Sequence, residues 1–348
     1  MCIRDSLSAH QKKSAKEIDG FLIQKGVLFS NKNDIFTEDP NRLIRVFRIK
    51  QQFNVSLDIN LKNKITNSIP LIDNQVINSL DAADSFKAIL SAPGEVYPIL
   101  KEMHFLGVLG RYIPEFGELT CLIQHEYYHR YTADEHVLRT IRHLDNVFAK
   151  KTPMDILYEK ELRKNNSPHL LYIILLLHDI GKSDGIKGHA ESGAILAEPI
   201  LNRLGFKKEN QKKILFIIRK HLEMARFWQR YDLDDIQTAI SFSEIIKNAE
   251  LLRFLTVHTY CDAKGTAPTL WNNYKDSMHK TLFFKTLKIL KDLTNSDTLN
   301  KEYKAMLKKD VLQLSLGNLP EEEVEAHFSL LPERYFVNTS ANLSLIHI

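Results

Sequence analysis

His136, the adjacent pair His178 and Asp179, and Asp262 are imidazoles and carboxylates spread over separate segments of the chain. Neutral imidazole nitrogen and carboxylate oxygen together suit a divalent transition metal, and ligands drawn from different helices can enclose an ion in a bundle core. That donor set points to a metal-activated water and hence to hydrolysis. The whole reading rests on these scattered side chains converging on one pocket.

Each of them has to be carried by an element. Thr132-Ala133-Asp134-Glu135 fits a capping box, which puts His136 in the first turn of a helix carrying Val137, Ile141, Leu144 and Phe148 inward. Leu170 to Ile180 is apolar on nearly every side, as a central buried helix would be, and ends in His178-Asp179-Ile180-Gly181-Lys182, with Gly181 as the expected stop. Buried His and Asp are costly unless paired or bound to a cation. The bland alternative is a solvated helix end.

Two further histidines fall at suggestive places. Between Glu209 and Leu222, the residues Ile214, Ile217, Ile218 and His221 share one face, which places His221 in the apolar stripe; taken singly it reads as a satisfied core histidine. His189 follows Gly188 and opens a helix through Ile195 and Leu196, where an exposed first-turn position is equally open. Leu252, Leu255, Thr259 and Asp262 also share a face, just before Gly265; a lone inward Asp there is ordinarily a hydrogen-bond partner at a helix end. Their joint occurrence favours one shared metal centre. His125-Glu126-Tyr127-Tyr128-His129 matches the H-E-x-x-H pattern of zinc proteases. That reading is set aside because the helix start at Thr132 cuts short any helix through His125; His129, Tyr127 and Tyr128 remain candidates to border the cleft.

Composition constrains the class. A chain of 348 residues with 44% hydrophobic and 26% charged content suggests two globular units plus connecting pieces. A net charge of +4 gives no strong pull toward nucleic acid or membrane, and the basic patch Lys207, Lys208, Lys212, Lys213, Arg219 and Lys220 reads as a solvated helix face. The longest apolar run, Leu170 to Leu177, is too short to span a bilayer. Cys121 and Cys261 lie far apart, which fits a reduced cytoplasm. Phe21-Leu22-Ile23, a Lys25-Gly26 turn and Val27-Leu28-Phe29 form the one hairpin signal, within Gly20 to Phe36. From Asp39 the pattern turns helical, with Asp39 as expected N-cap, Pro40 at the first helical position, and Leu43, Ile44 and Phe47 at helix spacing.

The two ends read as foreign to the fold. Met1 to Ser6 back-translates to an oligonucleotide whose reverse complement encodes Leu343 to Ile348, the pattern of a sequencing adapter read at both ends. Residues 1–6 and 343–348 are therefore expected to be artefact, and the rest an internal fragment.

The ordered set His136, His178-Asp179, Asp262 resembles the HD superfamily of metal-dependent phosphohydrolases. Three stretches narrow this: His125 to Leu138 (HEYYHRYTADEHVL), Leu177 to Gly193 (LHDIGKSDGIKGHAESG) and Cys261 to Trp271 (CDAKGTAPTLW). They are similar to the HD domain of the bifunctional uridylyltransferase/uridylyl-removing enzymes that modify the nitrogen-regulatory protein PII. Asp39 to Phe47, Leu106 to Phe116 and Leu331 to Phe336 extend the similarity over nearly all of residues 15 to 342. Ser183 to Lys187, where relatives vary in length, is the main departure, and it leaves the placement of His189 less secure than that of His178.

The resemblance implies an all-α fold: a helical bundle of HD type, preceded by a smaller helical bundle, with a short N-terminal β-hairpin remnant. Residues 7–38 would be the tail of a missing nucleotidyltransferase domain, 39–118 its helical appendage, 119–300 the HD domain, and 301–342 a linker toward missing ACT domains. The implied activity is metal-dependent phosphodiester hydrolysis removing UMP from uridylylated PII, a regulatory step in nitrogen metabolism. His136, His178, Asp179 and Asp262 would hold a first divalent ion, manganese or magnesium, and His189 and His221 a second, with Asp179 bridging. Asp179, His178 and Lys182 are the expected catalytic residues, and Lys182 and Lys264 adjoin the ligands as candidates to neutralise phosphate. Glutamine sensing belongs only to the full-length protein. Three alternatives stay open: an HD hydrolase of a free nucleotide or alarmone, a catalytically silent PII-binding module, and an inert truncated product.

Overall fold

The computed structural model describes residues 15–123, 130–185, 187–267, 269–315, 320–331 and 344. The H-E-x-x-H stretch, nearly all of Leu331 to Phe336 and, apart from Ser344, both suspected adapter segments lie outside the described residues.

The expected hairpin is present as β2 (Phe21–Gln24) and β3 (Val27–Phe29), antiparallel, with Gln24 opposite Val27. Lys25 and Gly26 both have positive φ, 49° and 75°, the left-handed pair that a tight two-residue hairpin demands. Sequence reading missed two flanking strands. β1 (Lys16–Ile18) adds antiparallel to β2, and β4 (Ser56–Leu57) adds parallel to β3, which makes a four-stranded sheet in the order β1-β2-β3-β4. Both are two or three residues long and carry too little alternation to be seen in sequence.

Among the described residues, all other regular structure is helical, as expected. Helix α1 (Arg42–Phe53) begins later than Asp39: that residue ends the short helix Ile35–Glu38, and its Oδ1 accepts from the Asn41 amide at 3.0 Å. The N-cap is Asn41, two residues later than expected. Helices α2 (Leu80–Leu90) and α3 (Tyr97–Phe105) pack on α1 and bury Phe86, Ile89, Leu100 and Met103.

The chain forms two compact units, Met1–Asp232 with Glu250–Lys280, and Leu233–Ala249 with Thr281–Ile348. In the first unit, α4 (Ala133–Phe148) packs against α3, α5 (Pro153–Leu162) and the fully buried α6 (Leu170–Leu177). Asp145 of α4 accepts hydrogen bonds from the Val96 and Tyr97 amides at the start of α3 and from the Tyr172 hydroxyl of α6, at 3.3, 2.8 and 2.6 Å. One buried carboxylate thus fixes three helices. Beyond α6, a 3-10 turn (Ile180–Asp184) packs on α7 (His189–Arg203), which packs on α8 (Lys208–Lys220). Helices α9 (Glu223–Arg230) and α10 (Ala249–Thr266) complete the part of this unit that matters for the site.

The second unit holds the helix Ile236–Ile246, most of the long α11 (Asn273–Leu314) and α12 (Glu321–Ser329). Lys285 donates to the Leu233 carbonyl at 2.6 Å, and Leu307, Val311, Val324 and Phe328 form a small apolar cluster. Among the described residues, no helix is long and apolar enough to cross a membrane.

Candidate metal centre

Four segments of the first unit carry the acids and imidazoles singled out from sequence. Thr132 is the N-cap of α4, as expected, but the capping box does not form: Glu135 pairs with Arg139, and the Thr132 side chain makes no cap bond. His136 sits in the first turn, buried. The α6 helix ends at Leu177, with His178 as its C-cap and Asp179 at φ −109°. Gly181 is not the stop that was expected. It lies inside the 3-10 turn, where a Cβ would stand 2.2 Å from the His189 carbonyl oxygen and 2.5 Å from the Gly193 amide nitrogen. Only glycine lets α7 approach this closely, and that approach brings His189 to Asp179. Gly265 does the same for another pair. A Cβ there would meet the Thr140 side chain at 2.7 Å and the Thr140 amide nitrogen at 3.1 Å, so α10 lies against α4 and Asp262 against His136.

The result is one cluster. His136 Nε2 is 3.0 Å from Asp262 Oδ1 and 3.4 Å from Asp179 Oδ2. His178 Nε2 is 3.3 Å from Asp179 Oδ2 and 3.7 Å from Asp262 Oδ1. On the other side, Asp179 Oδ1 stands 3.4 Å from His189 Nε2 and 3.9 Å from His221 Nε2, and those two nitrogens are 3.2 Å apart. Two donor groups result, His136-His178-Asp262 and Asp179-His189-His221, each with its ligand atoms within 4.8 Å of one another. The two oxygens of Asp179 face one group each. His189 is buried rather than exposed in its first turn, and His221 is buried at the end of α8. All six proposed ligands are therefore in one place.

Hydrogen bonding aims the rings. The Nδ1 of His178 lies 2.8 Å from the Leu175 carbonyl and that of His221 lies 2.7 Å from the Ile218 carbonyl; with Nδ1–H donating, each Nε2 is left as a lone pair facing the centre. The His178 Nε2 is buried with no hydrogen-bond partner. Burial disfavours a charged His178, yet the adjacent Asp179 and Asp262 outweigh it and lift the imidazole to about 10. Both carboxyls resist burial in turn: the neighbouring imidazoles, and for Asp179 also Lys182, hold them well below the usual range. His221 moves the other way, pushed down to about 4 by burial and the nearby His178. The buried Asp179 and the half-buried Asp262 thus demand positive charge, and without a metal ion a proton stands in for it. Carboxylates facing imidazole nitrogens that only a proton now occupies are the environment a divalent cation fits.

Lys182 is buried rather than solvated, with Nζ 2.7 Å from Asp179 Oδ2. Lys264 turns away; its ammonium donates to the Tyr260 hydroxyl at 2.9 Å, so it does not serve the centre. Sequence reading missed His258, which is fully buried on α10 with ring centroids 5.0 Å from His178 and 5.6 Å from His221. Its spacing of four residues before Asp262 was the available signal. A cavity of about 550 Å³ opens from the cluster, lined at one end by Asp179, Lys182, His189, His221 and Asp262.

The family model "Uridylyltransferase GlnD third domain" matches residues 21–112, and the "HD domain" model matches residues 133–240. A bifunctional uridylyltransferase/uridylyl-removing enzyme of Rhodopseudomonas palustris is 32% identical over 284 residues, 81% of this chain and 30% of the relative. The enzyme of the same name from Caulobacter vibrioides is 32% identical over 290 residues, 83% of this chain and 31% of the relative. Among solved structures, a Thermotoga maritima CCA-adding enzyme complexed with tRNA aligns with TM-score 0.45 and 12% identity over 75% of this chain and 52% of its own. The chain spans about three-tenths of the length of the curated relatives it matches. By its third-domain and HD regions, it belongs to the bifunctional uridylyltransferase/uridylyl-removing enzyme family.

Proposed function

We propose that this chain is the uridylyl-removing part of such an enzyme and hydrolyses the phosphodiester that joins UMP to a tyrosine of PII. The observation that carries the reading is the position of Asp179, with one carboxylate oxygen toward each of two imidazole groups. His136, His178, Asp179 and Asp262 would hold one divalent ion, manganese or magnesium, and Asp179, His189 and His221 a second. Such an ion supplies Lewis acidity and a lowered pKa for water.

The chain's own residues do the rest. His178 and His221 present their Nε2 lone pairs because backbone carbonyls hold Nδ1. Lys182 steadies Asp179 at 2.7 Å and adds positive charge where an anionic ester must enter. In the reaction, water oxygen joins phosphorus, the bond from phosphorus to the tyrosyl oxygen breaks, and UMP and tyrosine leave. Purified chain with added manganese should hydrolyse uridylylated PII, and bis-p-nitrophenyl phosphate as a simpler diester, in a chelator-sensitive way. His178→Ala or Asp179→Asn should lower turnover by at least a hundredfold. Undiminished turnover in either variant, with helical content intact, removes the assignment.

A further inference from the structure

A second cavity, of about 240 Å³, shares no lining residue with the one at the metal centre. It lies where the last turn of α2, the first turn of α6 and the loop from α7 to α8 meet, all within the first unit. Leu90, Leu170, Ile173 and Phe206 give it apolar wall, and Lys87, His169, Lys207 and Asn210 line it as well. Among the described residues the lining holds no carboxylate. The Lys87 ammonium stands 3.4 Å from where a Cβ on Gly205 would be, and Gly205, also on the wall, has φ 70° and carries none. Its ion pair with Asp84, at 3.0 Å, is to a side chain that is 70% exposed, and such surface pairs contribute only about 0–1 kcal/mol. Lys207 is exposed and His169 and Asn210 are half-buried, and their side chains make no hydrogen bond or ion pair among the described residues. Burial alone lowers the His169 pKa, which leaves a neutral ring with a donor and an acceptor to spare. A lysine on a helical surface is ordinarily just solvated. Two on the wall of one concave, partly apolar site with no acid to balance them favour an anion there.

We propose that this cavity is an effector site for a small organic anion, with a carboxylate or phosphate head held by Lys87 and Lys207 and a compact apolar body against Leu170, Ile173 and Phe206. Its volume falls below the roughly 300–1,000 Å³ of sites for drug-sized ligands, so the body is small. Its place in the fold couples it to the metal centre. Helices α6 and α8 both start at this cavity and pack on one another, and their far ends present His178 and His221, one imidazole to each donor group. A ligand that bridges the two starts braces the pair and lowers the cost of ordering both imidazoles around metal, so anion and manganese should each tighten the binding of the other. The coupling rests on the metal centre proposed above; the binding of the anion does not.

The test titrates the metal-stripped, desalted full chain by calorimetry with isovalerate, isobutyl phosphate and the neutral isovaleramide, so that no metal is present to take the anion. At least one anion should bind ten times more tightly than the amide, and which one does identifies the head group. Lys87→Met and Lys207→Met, which keep most of each side chain and delete its charge, should weaken that anion by about tenfold apiece. Neither anion surpassing the amide, or both variants binding like wild type, overturns the site. Manganese is then titrated with and without the better anion at saturation. Its Kd should fall at least threefold in the wild type and stay unchanged in Lys87→Met, whose metal ligands are intact. A wild-type manganese Kd that ignores the anion overturns the coupling and reduces the cavity to a binding site alone. A chain that binds the anion but no manganese leaves the site standing and removes the metal centre instead.

Discussion

His258 is an imidazole with neither ring nitrogen paired, buried at 0% exposure between the rings of His178 and His221. Burial and the positive His178 beside it push its pKa well down, so it is neutral. A neutral side chain that makes no hydrogen bond contributes packing alone, and replacing an unsatisfied polar group by an apolar one of similar size is nearly neutral or stabilising. In chelator, His258→Leu should therefore keep unfolding stability within about 1 kcal/mol of wild type or raise it. His258→Ala, which leaves a cavity between the two rings, should lose about 2–4 kcal/mol. Urea unfolding at neutral pH separates them. If leucine is as damaging as alanine, the imidazole makes a polar contact in the metal-free chain and this account of it is wrong.

The elements around the centre are held at their spacing by glycines rather than by caps. Where the 3-10 turn meets α7, a Cβ on Gly181 would press on two backbone atoms, neither of which can rotate away as a side chain could. Gly181→Ala should push α7 outward, carrying His189 off Asp179 while leaving His136, His178 and Asp262 on α4, the end of α6 and α10. We expect it to lower stability by more than about 2 kcal/mol. We also expect bound manganese to fall by one equivalent rather than to zero, read by elemental analysis after gel filtration. Full manganese content would show that α7 does not depend on this contact. The same residue marks how far sequence carries. His136, His178, Asp179, His221 and Asp262 could be singled out because residue type and helical spacing state where a polar group enters an apolar face, whereas His189, equally open as an exposed first-turn residue, joined the ligand set through their joint occurrence and the family resemblance. What Gly181 and Gly265 do could not: a glycine near a helix end looks like a stop, and only the neighbouring helix reveals that it is a contact. The short strands β1 and β4 escaped for a related reason, since pairing with β2 and β3, not local pattern, makes them strands.

Across the whole first unit, buried neutral histidines set the response to acid. Burial holds His143 down to about 3 and His279 down to about 4, and the His279 Nε2 donates to the Thr256 carbonyl at 2.9 Å. In the unfolded chain both protonate near 6.5. The unfolded state therefore binds more protons below that value, and stability falls as pH drops from about 6.5 toward 4, by up to about 2.7 kcal/mol per pH unit for the two together. His178, lifted to about 10, works in the opposite window: its contribution is complete below about 6.5 and fades as pH rises toward 10. Metal-free chain should thus be most stable near pH 6.5 and weaken on both sides. Trp271 reports the unit directly, since its ring packs edge-on against His279 at 5.1 Å. His279→Gln keeps the donor to Thr256 and removes one titration, so tryptophan-monitored urea unfolding between pH 4.5 and 6 should show a shallower slope than wild type, with His143, His221 and His258 still taking up protons on unfolding, while the alkaline limb stays as it was. An unaltered acid slope would place the proton uptake elsewhere and reduce His279 to an ordinary core residue.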